Sequence, residues 1–248
     1  MIIQTIIIFL LGLVFGSFIN SLIYRLYFKI PLWDRSFCLN CQKKLLARDL
    51  VPLLSFILLK GKCRFCKQKI KRQYFWVELI TGILFVLVFW HYQVINLLLI
   101  RDLIFVLILL FILIFDWQYY LILDKIIWPC LIFCIFINLF IGFNWVNLFL
   151  GSLFGAGFFI LQYLMSNGKW LGLGDVKLGV LLGFMLGLNQ IILVLIIAYI
   201  TGGLVAFVLL ILKRKNFGDV LPLGSFLAAA GIIVLLIGEK VLNYILFS

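Results

Sequence analysis

The chain has 248 residues, 66% of them hydrophobic and 12% charged, with a formal net charge of +12 and a mean hydropathy of +1.27. A soluble domain is near half apolar and a quarter charged, so an ordinary soluble enzyme, a disordered chain and a disulfide-rich secreted module are all excluded. At about 20 residues per transmembrane helix, the length allows at most about ten crossings. The expected fold is an all-α polytopic membrane protein.

Taken in chain order, eight apolar stretches are predicted as helices: 2–24, 76–91, 101–117, 125–143, 145–165, 175–188, 190–212 and 221–246. The first has no basic n-region and no small-residue cleavage pattern, and is read as a retained span. Breaks fall at a long basic segment and at "HYQ", "DWQYYLILDK", "GFN", "MSNGKWLGLGD", "GLN" and "KRKNFGD". Stretch 175–188 is glycine-rich and short for a span, so it is expected to tilt, thin the bilayer or re-enter. Gly155 and Gly157, and Gly202–Gly203, are expected to permit close helix packing. Three regions follow from this reading: a first helix at 1–24, a cytoplasmic insertion at 25–75 and a membrane core at 76–248.

Charge sets the topology. Between Arg25 and Arg72 lie thirteen basic residues against only Asp34 and Asp49, a net +11. Beside a span, such a block is retained on the cytoplasmic side and attracts anionic membrane lipid; it lacks a nucleic-acid-binding module, and no nucleic acid is expected as a partner. With that segment inside, alternate crossings put "KRKNFGD", with Lys213, Arg214 and Lys215, inside as well. "HYQ", "GFN" and "GLN", which lack Lys and Arg, then fall outside. Eight helices with both termini outside is the predicted arrangement. Arg101 and Asp102 are expected to pair near the outer interface, and His91 lies in an interfacial aromatic belt.

Six cysteines divide by context. Cys130 and Cys134 sit in "WPCLIFCIF" and are expected to pack as small hydrophobes. Cys38-x-x-Cys41 and Cys63-x-x-Cys66, 21 residues apart, lie in the basic segment. In a reducing compartment such pairs point to metal rather than disulfides, and four thiolates suit tetrahedral structural zinc with no open position. Lys62, Arg64 and Lys67 are expected to lower the thiol pKa values. An insertion of about fifty residues is small enough to need such a staple.

Only nine carboxylates occur in the chain, and three belong to membrane segments on the cytoplasmic side: Asp116, Asp124 and Asp175. Charged groups there are expensive and usually have a task. Two aspartates from separate helices can share one proton, the ionised member activating water while the other polarises a carbonyl. "GLGD" puts Gly172 and Gly174 ahead of Asp175, where a bare backbone admits close approach of a substrate strand; read plainly, the same motif is an ordinary helix start. No Ser-His-Asp set is possible with a single histidine, no HExxH occurs, and Ser17 and Ser225 have no evident base.

Together, "FGSFINSLIYRL" (Phe15 to Leu26), "CLNC", "RDLVPLLSFILLKGKCRFC", "KRQYFWVELITGILF", the Asp116–Asp124 block, "LGLGDVKLG" and "LPLGSFLA" resemble the prepilin peptidases, the type IV leader peptidases of bacterial pilus, competence and type II secretion systems. The resemblance implies an integral-membrane aspartyl protease of the inner membrane with its active site facing the cytoplasm. Asp116 and Asp175 would be catalytic, and Cys38, Cys41, Cys63 and Cys66 would hold zinc. It implies cleavage of the short basic leader of prepilin or pseudopilin substrates, and, in many members, methylation of the new amino terminus from S-adenosylmethionine. The family usually has Pro-Asp where this chain has Leu123-Asp124, which makes Asp124 the alternative carboxylate. No nucleotide fingerprint marks a methyl-donor site; Glu78 and Arg72, polar groups beside the second span, are the candidates. Two other readings share features: another GxGD protease, which has no reason for the cysteine loop, and a proton-coupled transporter, which should place its acids at midplane and show repeated halves.

Overall fold

The structure is a computed structural model and describes residues 1–216 and 219–247. The described residues are almost entirely helical. Two isolated bridges, Phe37 with Lys44 and Lys62 with Lys69, are their only β-pairings. The helices are α1 (Ile2–Tyr27), α2 (Leu54–Leu58), α3 (Gln73–Tyr92), α4 (Leu97–Tyr119), α5 (Asp124–Ile141), α6 (Trp145–Met165), α7 (Leu173–Leu186), α8 (Leu188–Ile211) and α9 (Leu223–Phe247). Seven of these, all but α2 and α7, are long and apolar enough to cross a membrane. The chain forms two compact units, Met1–Leu103 and Ile104–Ser248.

In the first unit α1 packs along α3 at backbone distance. A β-carbon on Gly12 would meet the Gly82 Cα at 2.8 Å, and one on Gly16 would meet the Glu78 Cα at 2.8 Å. Between these helices the loop folds into two knuckles and the short helix α2. Arg25, at the end of α1, donates to the carbonyls of Pro31, Leu32 and Asp34 and so closes the first turn of the loop. At the start of α4, Arg101 and Asp102 pair at 2.7 Å, as the sequence predicts, and the Tyr92 hydroxyl donates to the same carboxylate at 2.6 Å.

The second unit is built around α7, the shortest of the apolar helices. Its 14 residues span about 21 Å, well short of the roughly 30 Å hydrocarbon layer. Its C-terminal carbonyls would be orphaned in an apolar setting. The buried Asn138 of α5 answers this, donating Nδ2 to Phe184 O at 2.7 Å. Asn147 Oδ1 of α6 accepts the N–H of Leu188 at 3.1 Å across the single-residue break at Gly187. Polar side chains from two neighbouring helices thus let a short helix end inside the bundle.

The α6–α7 contact is made by Gly151 and Gly155 against Gly179 and Gly183. A β-carbon on Gly183 would lie 2.3 Å from Ser152 N, and one on Gly155 2.5 Å from Gly179 O. Among the described residues, a β-carbon on Gly157 or Gly203 would meet nothing within 4 Å, and one on Gly202 would make only ordinary contact with Phe226. Those glycines therefore do not form the close crossings expected of them. Cys134 is fully buried as expected, and Cys130 is half-buried. The turn between α5 and α6 is written in "GFN": Gly142 closes α5 at φ 93°, and the Asn144 side chain accepts from the N–H groups of Val146 and Asn147 to open α6.

Candidate active site and metal centre

Helix ends converge in the second unit. Asp116 lies in the last turn of α4 and is buried. Its Oδ2 accepts the backbone N–H of Ser225 at 2.6 Å and faces the Ser225 hydroxyl at 3.0 Å. Ser225 is the third residue of α9, so Asp116 occupies the positive end of that helix. The close fit depends on Gly224, whose β-carbon would lie 3.0 Å from Asp116 Oδ2.

Asp175 is the third residue of α7, and its Oδ2 accepts the N–H of the helix-capping Gly172 at 3.1 Å. The helix-start reading of "GLGD" is therefore structurally true, but it does not exhaust Asp175, which also lies within electrostatic reach of Asp116. Ile122, from the turn after α4, joins the two sides. A β-carbon on Gly174 would lie 3.0 Å from Ile122 Cβ, and one on Gly224 3.0 Å from Ile122 Cδ1. Ile122 therefore lies against bare backbone on both sides, next to Asp175 through Gly174 and next to Asp116 through Gly224.

Asp124 has a partner of its own. It is exposed at the start of α5, where it pairs with Lys177 of α7 at 2.6 Å. That ion pair ties the turn after α4 to the helix bearing Asp175. Tyr199 of α8 also lies within electrostatic reach of Asp175, and its hydroxyl donates to Gln162 at 2.8 Å. Gly224, Ile122 and Tyr199 are not singled out by the sequence reading, which names Ser225 only as a serine without an evident base. Only Ser225 and Gly224 had a signal, the "LPLGSFLA" motif near the end of the chain.

The four cysteines of the first unit meet. Their Sγ atoms all lie within 4.8 Å of one another, and Cys38 and Cys66 approach to 3.8 Å. A tetrahedron with Zn–S near 2.3 Å has edges of about 3.8 Å, so the thiol set fits a zinc-sized ion. Two matching knuckles present them. Cys38 N–H bonds Lys43 O and Gln42 N–H bonds Cys38 O; Cys63 N–H bonds Gln68 O and Lys67 N–H bonds Cys63 O. Gln42 and Lys67 both take positive φ, at 55° and 58°, and Leu45 N–H to Ser36 O repeats as Ile70 N–H to Gly61 O. This is a local repeat of backbone that the side chains barely advertise.

The Cys66 thiol is brought down to about 6 by hydrogen bonds, first from the backbone N–H of Gln68 and then from the Asn40 side chain. The neighbouring cations, expected to do this, are not the cause for Cys66. Arg64 is engaged elsewhere, on Asp49 at 2.7 Å, and that contact holds the Asp49 carboxyl below its usual range. Of the two methyl-donor candidates, Arg72 is exposed at the start of α3 while Glu78 is buried between α1 and α3.

Fold and side-chain placement together define a multi-pass helical membrane protein with a cysteine-clustered loop and two aspartates near helix ends in its second unit. The Bacterial Peptidase A24 N-terminal domain family matches residues 10–92, and the Type IV leader peptidase family matches residues 103–207. Among curated proteins, the chain is 30% identical to the "Prepilin leader peptidase/N-methyltransferase" of Pseudomonas putida over 93% of this chain and 90% of that one. It is 28% identical to the protein of the same name from Bacillus subtilis (strain 168), over 96% of each, and 28% identical to that of Legionella pneumophila over 95% and 92%. No solved structure matches. The chain belongs to the prepilin leader peptidase/N-methyltransferase family.

Proposed function

We propose that this protein removes the short basic leader of prepilin or pseudopilin substrates by aspartyl chemistry at the cytoplasmic face of the bacterial inner membrane, and that it then methylates the new amino terminus from S-adenosylmethionine. The observation that carries the peptidase reading is the convergence of Asp116 and Asp175, through Ile122 and the two glycines, at the adjoining ends of α4, α7 and α9. A transporter's acids belong at midplane; these sit at helix ends.

Donor geometry supports the following division of roles. Asp116 Oδ2 faces two donors from Ser225 and a helix N-terminus, and is the better-stabilised anion. Asp175 takes one N–H, from Gly172, and beside a charged neighbour it keeps the shared proton. Asp116 takes a proton from water as its oxygen adds to the scissile carbonyl carbon, while Asp175 protonates the carbonyl oxygen. The gem-diol intermediate then collapses: the C–N bond breaks, the proton on Asp116 passes to the leaving amine, and one hydroxyl returns its proton to Asp175 as the carbonyl re-forms. Substrate enters as a membrane helix whose leader stays in the cytoplasm. The enzyme's own basic loop gives the leader's cations nothing to bind, so recognition rests on the helix and the residues flanking the cut.

Residues 25–75 are read as the insertion and 76–248 as the protease core. Zinc on Cys38, Cys41, Cys63 and Cys66 closes the insertion and takes no part in hydrolysis, because a four-thiolate site has no open position. The test is to incubate purified protein with a prepilin and an isotopically labelled methyl donor, and to read product mass. Loss of the leader with gain of one labelled methyl group is expected; an intact substrate overturns the reading.

A further inference from the structure

Outside the aspartate pair, one buried polar cluster has more acceptors than donors when its carboxylate is ionised. It lies between α1 and α3. Glu78 is 7% exposed; its Oε2 accepts the Leu53 N–H at 2.8 Å, and the Ser17 hydroxyl bonds the same side chain. Asn20, 3% exposed, donates Nδ2 to Tyr74 O at 3.3 Å. That contact fixes which way the amide points, because a carbonyl partner requires the nitrogen. Asn20 Oδ1 is then buried with no partner among the described residues.

The two acceptors are neighbours by helix geometry. Ser17 and Asn20 are three residues apart on α1, and Tyr74 and Glu78 four apart on α3, so each pair shares a face one turn apart. A carboxylate offers about four lone-pair sites, and two are filled. Burying such a group and a bare amide oxygen side by side is costly unless something donates to both. Divalent hard cations are a poor match, since they collect six or more oxygens. A primary ammonium matches: it is compact, positive and rich in donors, with no acceptor of its own. Of the donors already on Glu78, the Leu53 N–H comes from the loop rather than from the paired helices, and it is the one an incoming group can replace.

We infer that Asn20 and Glu78 form a receptor for a primary ammonium group used in methyl transfer, an assignment that rests on the peptidase and methyltransferase reading above. Two reactants carry such a group: the amino terminus freed by cleavage, and the amino-acid end of S-adenosylmethionine. Both are tested with the full-length enzyme and its variants Asn20→Leu, Asn20→Asp and Glu78→Gln. Leader cleavage is followed on an intact prepilin, and methylation on a pre-cleaved pilin with its amino terminus free.

Asn20→Leu and Glu78→Gln should leave cleavage and bound metal within about threefold of the parent while methylation falls roughly tenfold or more. Asn20→Asp, which keeps an acceptor, should recover most of the methylation. A KM that rises for the pre-cleaved pilin alone assigns the amino terminus; one that rises for S-adenosylmethionine alone assigns the donor. Methylation unchanged in both variants, or cleavage and methylation falling in parallel, overturns the receptor. So does a parent enzyme that cleaves without methylating. A parent that cleaves nothing refutes instead the reading on which it rests.

Discussion

Replacing Ser225 with alanine removes the side-chain donor facing the Asp116 carboxylate and leaves the backbone N–H, at 2.6 Å, in place. The hydroxyl has one hydrogen and two acceptors at the same 3.0 Å distance, Asp116 Oδ2 and Leu113 O. When Asp116 is the anion, the charged oxygen is the stronger acceptor and takes that hydrogen. A hydrogen bond to a charged group contributes about 1.5–3 kcal/mol, and 1.36 kcal/mol is tenfold in rate. Ser225→Ala should therefore lower kcat/KM for leader cleavage by about ten- to a hundred-fold, with membrane insertion and yield preserved. Ser225→Thr, which keeps the hydroxyl, should restore most of the loss. The assay is a timed conversion of a purified prepilin in detergent, read by mass. A change below twofold would mean that the hydroxyl serves Leu113 O throughout and that Asp116 does not depend on it; failure of threonine to rescue would assign the loss to packing.

Replacing any one of Cys38, Cys41, Cys63 and Cys66 with serine should reduce bound zinc from one ion per chain to near none, read by elemental analysis of purified protein; wild type without zinc would refute the site. Gly183→Ala should cost at least about 1–3 kcal/mol, the usual penalty of overpacking, because its β-carbon would lie 2.3 Å from Ser152 N. Thermal unfolding in detergent reads that loss. Asp124→Asn breaks only the ion pair with Lys177, both partners of which are partly exposed. It should cost at most about 1 kcal/mol and leave cleavage within a few-fold of the parent.

The membrane helices were legible in the sequence because lipid forces each backbone segment to satisfy its own hydrogen bonds. The eight stretches became α1 and α3 to α9, with ends displaced by at most four residues. The cysteine cluster was legible because chemistry fixes the spacing of its ligands. Residues that act through backbone geometry were not. The knuckle repeat lives in the hydrogen bonds of Cys38 and Cys63 and in the turns at Gln42 and Lys67, where side chains share little beyond the cysteines. Ser225 looked idle because its partner is 109 residues away, and only folding brings the start of α9 to the end of α4. Glycine pairs told that helices could touch but not which faces would: Gly155 meets Gly179, while Gly157, two residues on, meets none of the described residues.

The most direct measurement compares prepilin cleavage by Asp116→Asn, Asp175→Asn and Asp124→Asn, each purified and shown to be inserted and folded. If water is activated between Asp116 and Asp175, each of the first two loses about a hundred- to ten-thousand-fold or more in rate, while the third stays close to wild type. Near-normal cleavage by Asp116→Asn or by Asp175→Asn contradicts the account.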